Sequence, residues 1–500
     1  MPVRGELLDR RWIIALLSLA AAIPLVWPQI PPLIDLPGHM GRFHIARMLG
    51  EAPTLTSSFS FEWKLVGNLG LDLLIVPLAS VFGVELGTKL IVLAIPPLTV
   101  AGMLLAAREA HGRVPAMALF ALPLAWPFPF HFGFINFSLS IALAWLVLAL
   151  WMRLGRTKRL VRRALLFAII SCALWLTHMV GWGLFGLAAF GTELVRRHRA
   201  GESLVQAGFR SGLACAPLAL PLIPTLLLRS DSPETISFDW FNWDAKLFWI
   251  SSLLRDRWQG YDLLCAWTLV LIVAVAAIRR RAEPMMAVPA LLCLVAFILM
   301  PRVAVGSAYA DMRLLPFTLG LALLAIRAPQ DWAKPLMAIG LTFFLVRLGA
   351  TTASLAFYNR QYRDELRALD RLPQNASVLS LVVRPCGNAW STERLDHLPA
   401  LAIIRRNAFT NDQWIIASAS GLRVIRPGVG VYGSDPSQLI YPQHCRGEGS
   451  GLEKAITEFN RAAFNHVWVI GGQATAPDLQ PLWSNGRSTL YRVAGQRGSE

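Results

Sequence analysis

The stretch best equipped for chemistry is Pro31-Pro-Leu-Ile-Asp35-Leu-Pro37-Gly-His39-Met-Gly-Arg42-Phe-His44-Ile-Ala-Arg47-Met-Leu-Gly50. Pro37 suits the first position of a helix and Gly50 its stop, so Asp35 stands just ahead of a helix expected over 37–49. Residues three and four apart share a helix face, which groups His39, Arg42, Phe43 and Ala46 and puts Met40, His44 and Arg47 on the adjacent face. A carboxylate able to accept a proton is thus gathered with an imidazole and a guanidinium able to meet an anion. A plainer reading makes Asp35 the cap of an interfacial helix whose basic side chains snorkel toward lipid headgroups. The chemical reading is preferred because Asp and His are sparse in the apolar runs, and ionisable groups at membrane depth usually mark a pathway or site.

Other polar residues fall at the ends of apolar runs. Asn136, in Gly133-Phe-Ile-Asn136-Phe, either hydrogen-bonds a ligand or caps the helix that follows. His178, after Thr177, either contacts an anion or packs between helices. In Tyr309-Ala-Asp311-Met-Arg313 the acid either caps its helix, pairing with Arg313 across the first turn, or supports a site in which Arg313 grips an anion through its planar fork. Glu62 and Lys64 precede an apolar run interrupted by Gly67, Asn68, Gly70 and Asp72. The segment 230–259 holds Phe238-Asp-Trp240-Phe-Asn-Trp243-Asp244, then Trp249 and Trp258. Aromatic residues gather at membrane interfaces for amphipathic reasons alone, yet interleaved with acids they also suit a saccharide or lipid, and Asp239 or Asp244 is a candidate second acid beside Asp35.

These residues need a membrane to position them. The chain has 500 residues, 55% hydrophobic and 16% charged, with a mean hydropathy of +0.49; a water-soluble globule carries about a quarter charged residues. The net charge of +16 lies mainly in the apolar part, in short clusters between apolar runs, which argues against nucleic acid as a partner. Apolar runs occur at 12–30, 66–82, 88–106, 115–131, 134–152, 164–180, 181–195, 205–228, 262–278, 285–300, 311–327 and 335–357, giving about eleven to thirteen spans. The first follows Arg4, Arg10 and Arg11, lacks a small-residue cleavage site and reads as an uncleaved span with a cytoplasmic N-terminus. Basic clusters at Arg153, Arg156, Lys158, Arg159, Arg162 and Arg163, at Arg196, Arg197 and Arg199, and at Arg279 to Arg281 set the orientation from 134 onward and place everything after 357 outside. The count before residue 113 carries one crossing too many, and the interrupted run 66–82 is the segment expected to be re-entrant or broken.

Residues 358–500 read as a separate small α/β domain. It opens with a polar helical stretch, Tyr358 to Leu372, and continues with strand-like Ser377 to Val383 and His466 to Ile470, with a helix expected over Glu453 to Phe464. Cys172, Cys215, Cys265 and Cys293 lie in apolar runs as small buried hydrophobes. Cys386 and Cys445 share the terminal domain, in a compartment the topology makes oxidising, and are expected to form a disulfide. No spacing indicates zinc.

An Asp shortly after the first span, a juxtamembrane helix behind it, many further spans and an extracytoplasmic terminal domain together resemble the type C (GT-C) polytopic membrane glycosyltransferases. The resemblance is architectural over the chain, and motif-level only around 31–50. It implies a transmembrane domain over 1–357, a soluble domain over 358–500, and transfer of a sugar from a polyprenyl-phosphate donor to a lipid, polysaccharide or protein acceptor at the outer face of a bacterial inner membrane. It further implies Asp35 as catalytic carboxylate. His39, Arg42, Lys64, Asn136, His178 and Arg313 would lie on the donor phosphate and sugar, with Asp311, Asp239 and Asp244 supporting. With one Asp flanked by Leu36 and Pro37, a metal-independent and inverting transfer is expected, with no cofactor and a divalent cation not favoured.

Two other classes fit part of the pattern. A lipid or glycan transporter or flippase also uses broken helices and intramembrane charges, but matching halves are not found in this sequence. A non-catalytic scaffold for envelope assembly would use the terminal domain as its surface. Asp396-His397, His444 and Glu448 in that domain match no nucleophile or metal spacing, and the domain is expected to act as a lid or acceptor-docking surface. Val469-Ile-Gly-Gly472 lacks the remaining signature of a phosphate loop, so direct use of a sugar nucleotide is disfavoured.

Overall fold

The computed structural model describes residues 7–157, 160–227, 236–387, 389–415, 421–442, 445 and 450–495. Arg4, Lys158, Arg159, His444 and Glu448 lie outside them. The chain divides into two compact units, one of Met1–Trp27, Leu65–Leu73 and Leu90–Ala353, the other of Pro28–Lys64, Leu74–Lys89 and Ser354–Glu500.

The first unit is helical. Among the described residues, five helices are long and apolar enough to cross a membrane: Gly70–His111, Ile135–Gly155, Leu160–Thr177, Gln259–Ile278 and Gln330–Arg371; Arg11–Ala20, Ala116–Phe132, Pro284–Leu299 and Leu315–Leu324 are shorter apolar helices. Several expected runs are broken where proline removes a backbone donor. The first run is helical over Arg11–Ala20, and its remainder holds Pro24 and Pro28. The run at 205–228 is helical over Leu204–Cys215 and is then interrupted around Pro217 and Pro221. The expected runs 66–82 and 88–106 fall within Gly70–His111, which breaks at Gly83, φ 75° and ψ 167°. At 1.5 Å per residue the piece before that break is about 20 Å long, well short of a ~30 Å hydrocarbon core.

Charged side chains buried in this unit are paired, as a low dielectric requires. Glu193 accepts from Arg163, Arg196 and Arg197, Arg163 lies 3.6 Å over the Trp151 ring, and Arg347 pairs with Asp262.

Among the described residues, the second unit holds the helix Leu36–Met48, the short helix Pro53–Ser58 and eight strands. These are β1 (Phe59–Phe61), β2 (Ser377–Val383), β3 (Phe409–Thr410), β4 (Leu422–Val424), β5 (Leu439–Ile440), β6 (His466–Ile470), β7 (Leu479–Ser484) and β8 (Thr489–Val493). β1 pairs antiparallel with β4. The larger sheet runs β3-β2-β6-β8-β7, with β5 on β2 beyond β3. β2 is parallel to β3, β5 and β6, and β8 antiparallel to β6 and β7. β2 and β6 are apolar and buried along nearly their whole length, as central parallel strands are, while Pro481 sits on edge strand β7 where no ladder donor is needed. The helix expected over 453–464 stops at Glu458, where the chain turns extended at Phe459. Tyr358 and its neighbours continue the helix Ala333–Leu366, which runs unbroken through residue 357.

The core of this unit joins residues far apart in sequence. Ile45, Leu55 and Phe59 pack with Leu379, Leu381, Ile403, Phe409, Phe464, Val467 and Tyr491. Arg394 fastens the segment before Asp35: its guanidinium donates to the Pro32 carbonyl and to Thr392 Oγ1 (2.8 Å) and lies 4.4 Å over the Tyr358 ring.

Candidate functional site

Asp35 occupies the N-cap position of Leu36–Met48 and is 8% exposed, yet its side chain makes no capping hydrogen bond. The cap reading of Asp35 is therefore replaced by a different arrangement. His397 Nε2 stands 3.9 Å from Asp35 Oδ1 and 3.6 Å from Asp435 Oδ1. Its Nδ1 is 3.1 Å from the Asp412 carbonyl oxygen. Trp414 packs against both imidazoles, with ring centroids 4.3 Å from His397 and 5.1 Å from His39. Asp396, Asp412, Gln413 and Gln438 are buried in the same unit. Gln438 Nε2 donates to Asp435 Oδ1 at 2.7 Å, and Thr410 Oγ1 donates to Asp412 Oδ1 at 2.5 Å.

Two glycines explain why this helix can seat there. A β-carbon on Gly38 would stand 2.6 Å from Trp414 Cη2, and one on Gly41 would stand 2.9 Å from Gln413 Nε2 and 3.1 Å from Ala400 Cβ. The helix lies against the Ala400–Arg406 helix through this small-residue face. Gly38→Ala must push the Trp414 ring away from His39 and His397. The expected result is a well-folded protein with roughly tenfold lower function, since displacements below 1 Å at a reacting group are costly. Complementation of a deletion strain, with membrane protein levels matched, checks it; unchanged function at equal level would refute the packing argument.

The electrostatics of the cluster are unusual. Burial pushes the Asp396 carboxyl up to about 6, against the opposing pull of Arg384 and His397. Asp412 is likewise pushed up to about 6 by burial, against His397 and the Thr410 hydrogen bond. Burial works against a charged His397, but Asp435, Asp35, Asp412 and Asp396 outweigh it and hold the ring above its ordinary value. Among the described residues, Asp412 Oδ2, Gln438 Oε1 and both amide atoms of Gln413 are buried without a hydrogen-bond partner, an arrangement that costs stability and is retained where it serves a site.

A raised carboxyl holds its proton more tightly folded than unfolded, so its contribution to stability is full below the unfolded value and is lost as pH rises through about 6. Asp412→Asn removes the titrating group. Its melting temperature is expected to gain on wild type between about pH 4 and about pH 7, by the equivalent of roughly 2 kcal/mol. A difference that stays constant with pH, read by thermal denaturation of the purified protein, would refute this.

The other residues singled out in the sequence fall as follows. His39 stacks on Phe43 at 6.4 Å between centroids, and the Arg42 guanidinium lies 4.9 Å from the same ring. His44 Nε2 bonds Asn407 Oδ1 at 2.8 Å and Arg47 donates to the Ala79 carbonyl, so both are tied into the second unit. Lys64 is half-buried at the edge of that unit.

In the first unit, the Asn136 carbonyl accepts from Leu71 N at 2.5 Å, and its amide donates to Asn68 O at 2.7 Å and Asp72 Oδ2 at 3.3 Å. It holds the start of one helix against another rather than capping its own. His178 Nδ1 accepts from Val180 N at 3.1 Å as the N-cap of Met179–Arg199, its ring edge-on to Phe137. Arg313 donates to Ser307 Oγ at 2.9 Å and the Ala308 carbonyl at 3.2 Å, and covers the Phe134 ring at 4.3 Å. Asp311 does not take Arg313 as its ionic partner: Lys246 Nζ (3.3 Å) and Trp249 Nε1 (3.1 Å) converge on its carboxylate. Asp239 accepts from Asn242 at 3.1 Å and pairs with Arg302 at 3.6 Å, and Asp244 sits in the first turn of Trp243–Ser251.

The acids and imidazole beside Asp35 come from the terminal residues instead. His397 and Asp396 stand out in the sequence as a pair, but Asp412, Trp414 and Asp435 do not, because nothing in local spacing ties them to a motif some 360 residues earlier. Cys386 and Cys445 are disulfide-linked, with Cα atoms 5.4 Å apart. No group of three His, Cys, Asp or Glu among the described residues is arranged to hold a metal ion.

An apolar helical unit followed by a small α/β unit is a fold that this chain shares with a solved structure. Among solved structures, the chain is similar to the crystal structure of ArnT from Cupriavidus metallidurans bound to undecaprenyl phosphate, with a TM-score of 0.53 and 13% sequence identity over 97% of this chain and 99% of that one. No family model matches the sequence, and no curated protein matches it.

Proposed function

We propose that this protein is an integral-membrane glycosyltransferase that moves a sugar from a polyprenyl-phosphate donor to an envelope acceptor at the outer face of a bacterial inner membrane. The observation that carries the reading is the Asp35 carboxylate, which is not spent on capping its helix and faces His397 within a buried cluster of acids. ArnT, whose fold the chain shares, is bound to undecaprenyl phosphate, which supports a polyprenyl-phosphate lipid as partner.

In the transfer, the acceptor hydroxyl gives its proton to Asp35 as its oxygen bonds to the anomeric carbon. The bond from that carbon to the phosphate oxygen breaks with its electron pair, so the polyprenyl phosphate departs and the configuration inverts. On this reading Arg42, Lys64 and His39 meet the departing phosphate, and Arg313 keeps its sequence-based role as a phosphate-binding cation; Asn136 and His178 act on the donor by shaping its surroundings. Asp311 positions the start of its own helix through Lys246 and Trp249, and Asp239 and Asp244 lie on the aromatic loop offered to the acceptor. We write the reaction without a metal, because the acids around Asp35 converge on an imidazole.

The outward orientation is supported by the basic clusters and by the break at Gly83. A segment 70–82 too short to cross removes the surplus crossing and restores alternation with a cytoplasmic N-terminus. The test is purified protein supplied with a panel of polyprenyl-phosphate sugars and membrane extract as acceptor. Turnover of one donor is the expected result, and no turnover across a broad panel would overturn the assignment in favour of transport or scaffolding.

A further inference from the structure

The geometry points to His397 as a positioning residue for Asp35: an imidazolium pinned at Nδ1 by the Asp412 carbonyl and shared at Nε2 between Asp435 and Asp35. This inference rests on the reading of Asp35 as base. A carbonyl oxygen can only accept, so the 3.1 Å contact assigns a proton to Nδ1. Nε2 then faces two carboxylate oxygens, at 3.6 and 3.9 Å. A bare lone pair directed at two anions is repelled by both, whereas an N–H there is attracted by both, so the buried ring carries both protons.

The surroundings fix the ring without neutralising it. Asp35 approaches from the start of Leu36–Met48, Asp412 from the end of β3 and Asp435 from the turn leading into β5, while Asp396 precedes it in the chain. Arg384 Nε stands 3.6 Å from Asp396 Oδ1. His39 meets the far side of the cluster through Trp414. Gln438 orients Asp435 by donating to its Oδ1, the same oxygen that faces His397. An acid lowered into a buried cluster without a counter-charge takes up a proton and ceases to be a base. His397 brings positive charge to 3.9 Å from Asp35 Oδ1 and so favours its carboxylate form, the form that can accept a proton.

The experiment is hydrogen–deuterium exchange at the imidazole C2 carbon, read by mass spectrometry across pH on the full-length protein in detergent. It reports the protonation midpoint of His397 itself. The expected midpoint lies above that of an ordinary histidine and falls by about one pH unit in Asp435→Asn and in Asp35→Asn. A midpoint at or below the ordinary value, or one indifferent to both substitutions, overturns the proposal. With a competent donor in hand, His397→Gln is expected to move the acid limb of kcat/KM up by about one pH unit while KM stays within about twofold, whereas a merely structural role would lower the rate at every pH alike. If His397 titrates as expected but Asp35→Asn transfers sugar normally, the His397–Asp35 coupling stands and the reading of Asp35 as base fails; the same titration with no turnover of any donor by the wild type is instead the failure of the transferase reading.

Discussion

Asp35→Asn is expected to abolish function while leaving the protein folded. Asparagine preserves size and one acceptor oxygen but cannot take a proton at neutral pH, and loss of a positioned general base costs about 10²–10⁴-fold in rate. The substitution should be nearly silent for stability at the helix end, because the Asp35 side chain makes no capping hydrogen bond there. Its effect on the cluster is to remove one of the two carboxylates facing His397, leaving Asp435 to hold the ring. A deletion strain complemented with wild type or the variant, at matched membrane levels, gives the readout through its glycans and lipid-linked sugars. A product restored by wild type and missing with the variant identifies both the acceptor and the base. Full rescue by the variant would reduce Asp35 to a structural residue and sink the transferase reading.

Much of the path to that residue was legible because it is local. Proline and glycine bracket the Leu36–Met48 helix, short continuous apolar runs mark β2 and β6, and the interrupted 66–82 run holds a segment too short to span. The partners of Asp35 were not legible, because a buried ion cluster leaves no periodicity. Asp412 and Asp435 belong to no local motif, and Trp414 is one tryptophan among 18. The choice between cap and site at Asp35, and between Arg313 and Lys246 as partner of Asp311, turned on tertiary contacts that spacing does not encode. Gly38 and Gly41, which local spacing did not single out, matter for Trp414 and for the Ala400–Arg406 helix.

The Cys386–Cys445 disulfide connects this cluster to the compartment in which the protein works. It closes a loop with a sequence separation of 59 residues, for which chain entropy alone predicts a stabilisation of about 4 kcal/mol. Its placement matters as much as its size. β5 meets β2 through only two residue pairs, Val382 with Leu439 and Val383 with Ile440, and the cysteines lie just beyond them on both strands. Asp435 and Gln438 immediately precede β5, so its register decides where the acid opposite His397 stands. Cys386→Ser is therefore expected to lower the melting temperature of the purified protein and, in the temperature range where it remains folded, to lower function as well, with the His397 midpoint drifting toward its ordinary value. A variant less stable but fully functional would show that β5 keeps its register unaided. The same bond tests orientation: in intact cells, a membrane-impermeant maleimide is expected to label neither cysteine until reductant is added. Thiols that react only after the cells are permeabilised, and without reductant, would put the terminal residues on the cytoplasmic side, where an outward-facing transfer could not occur.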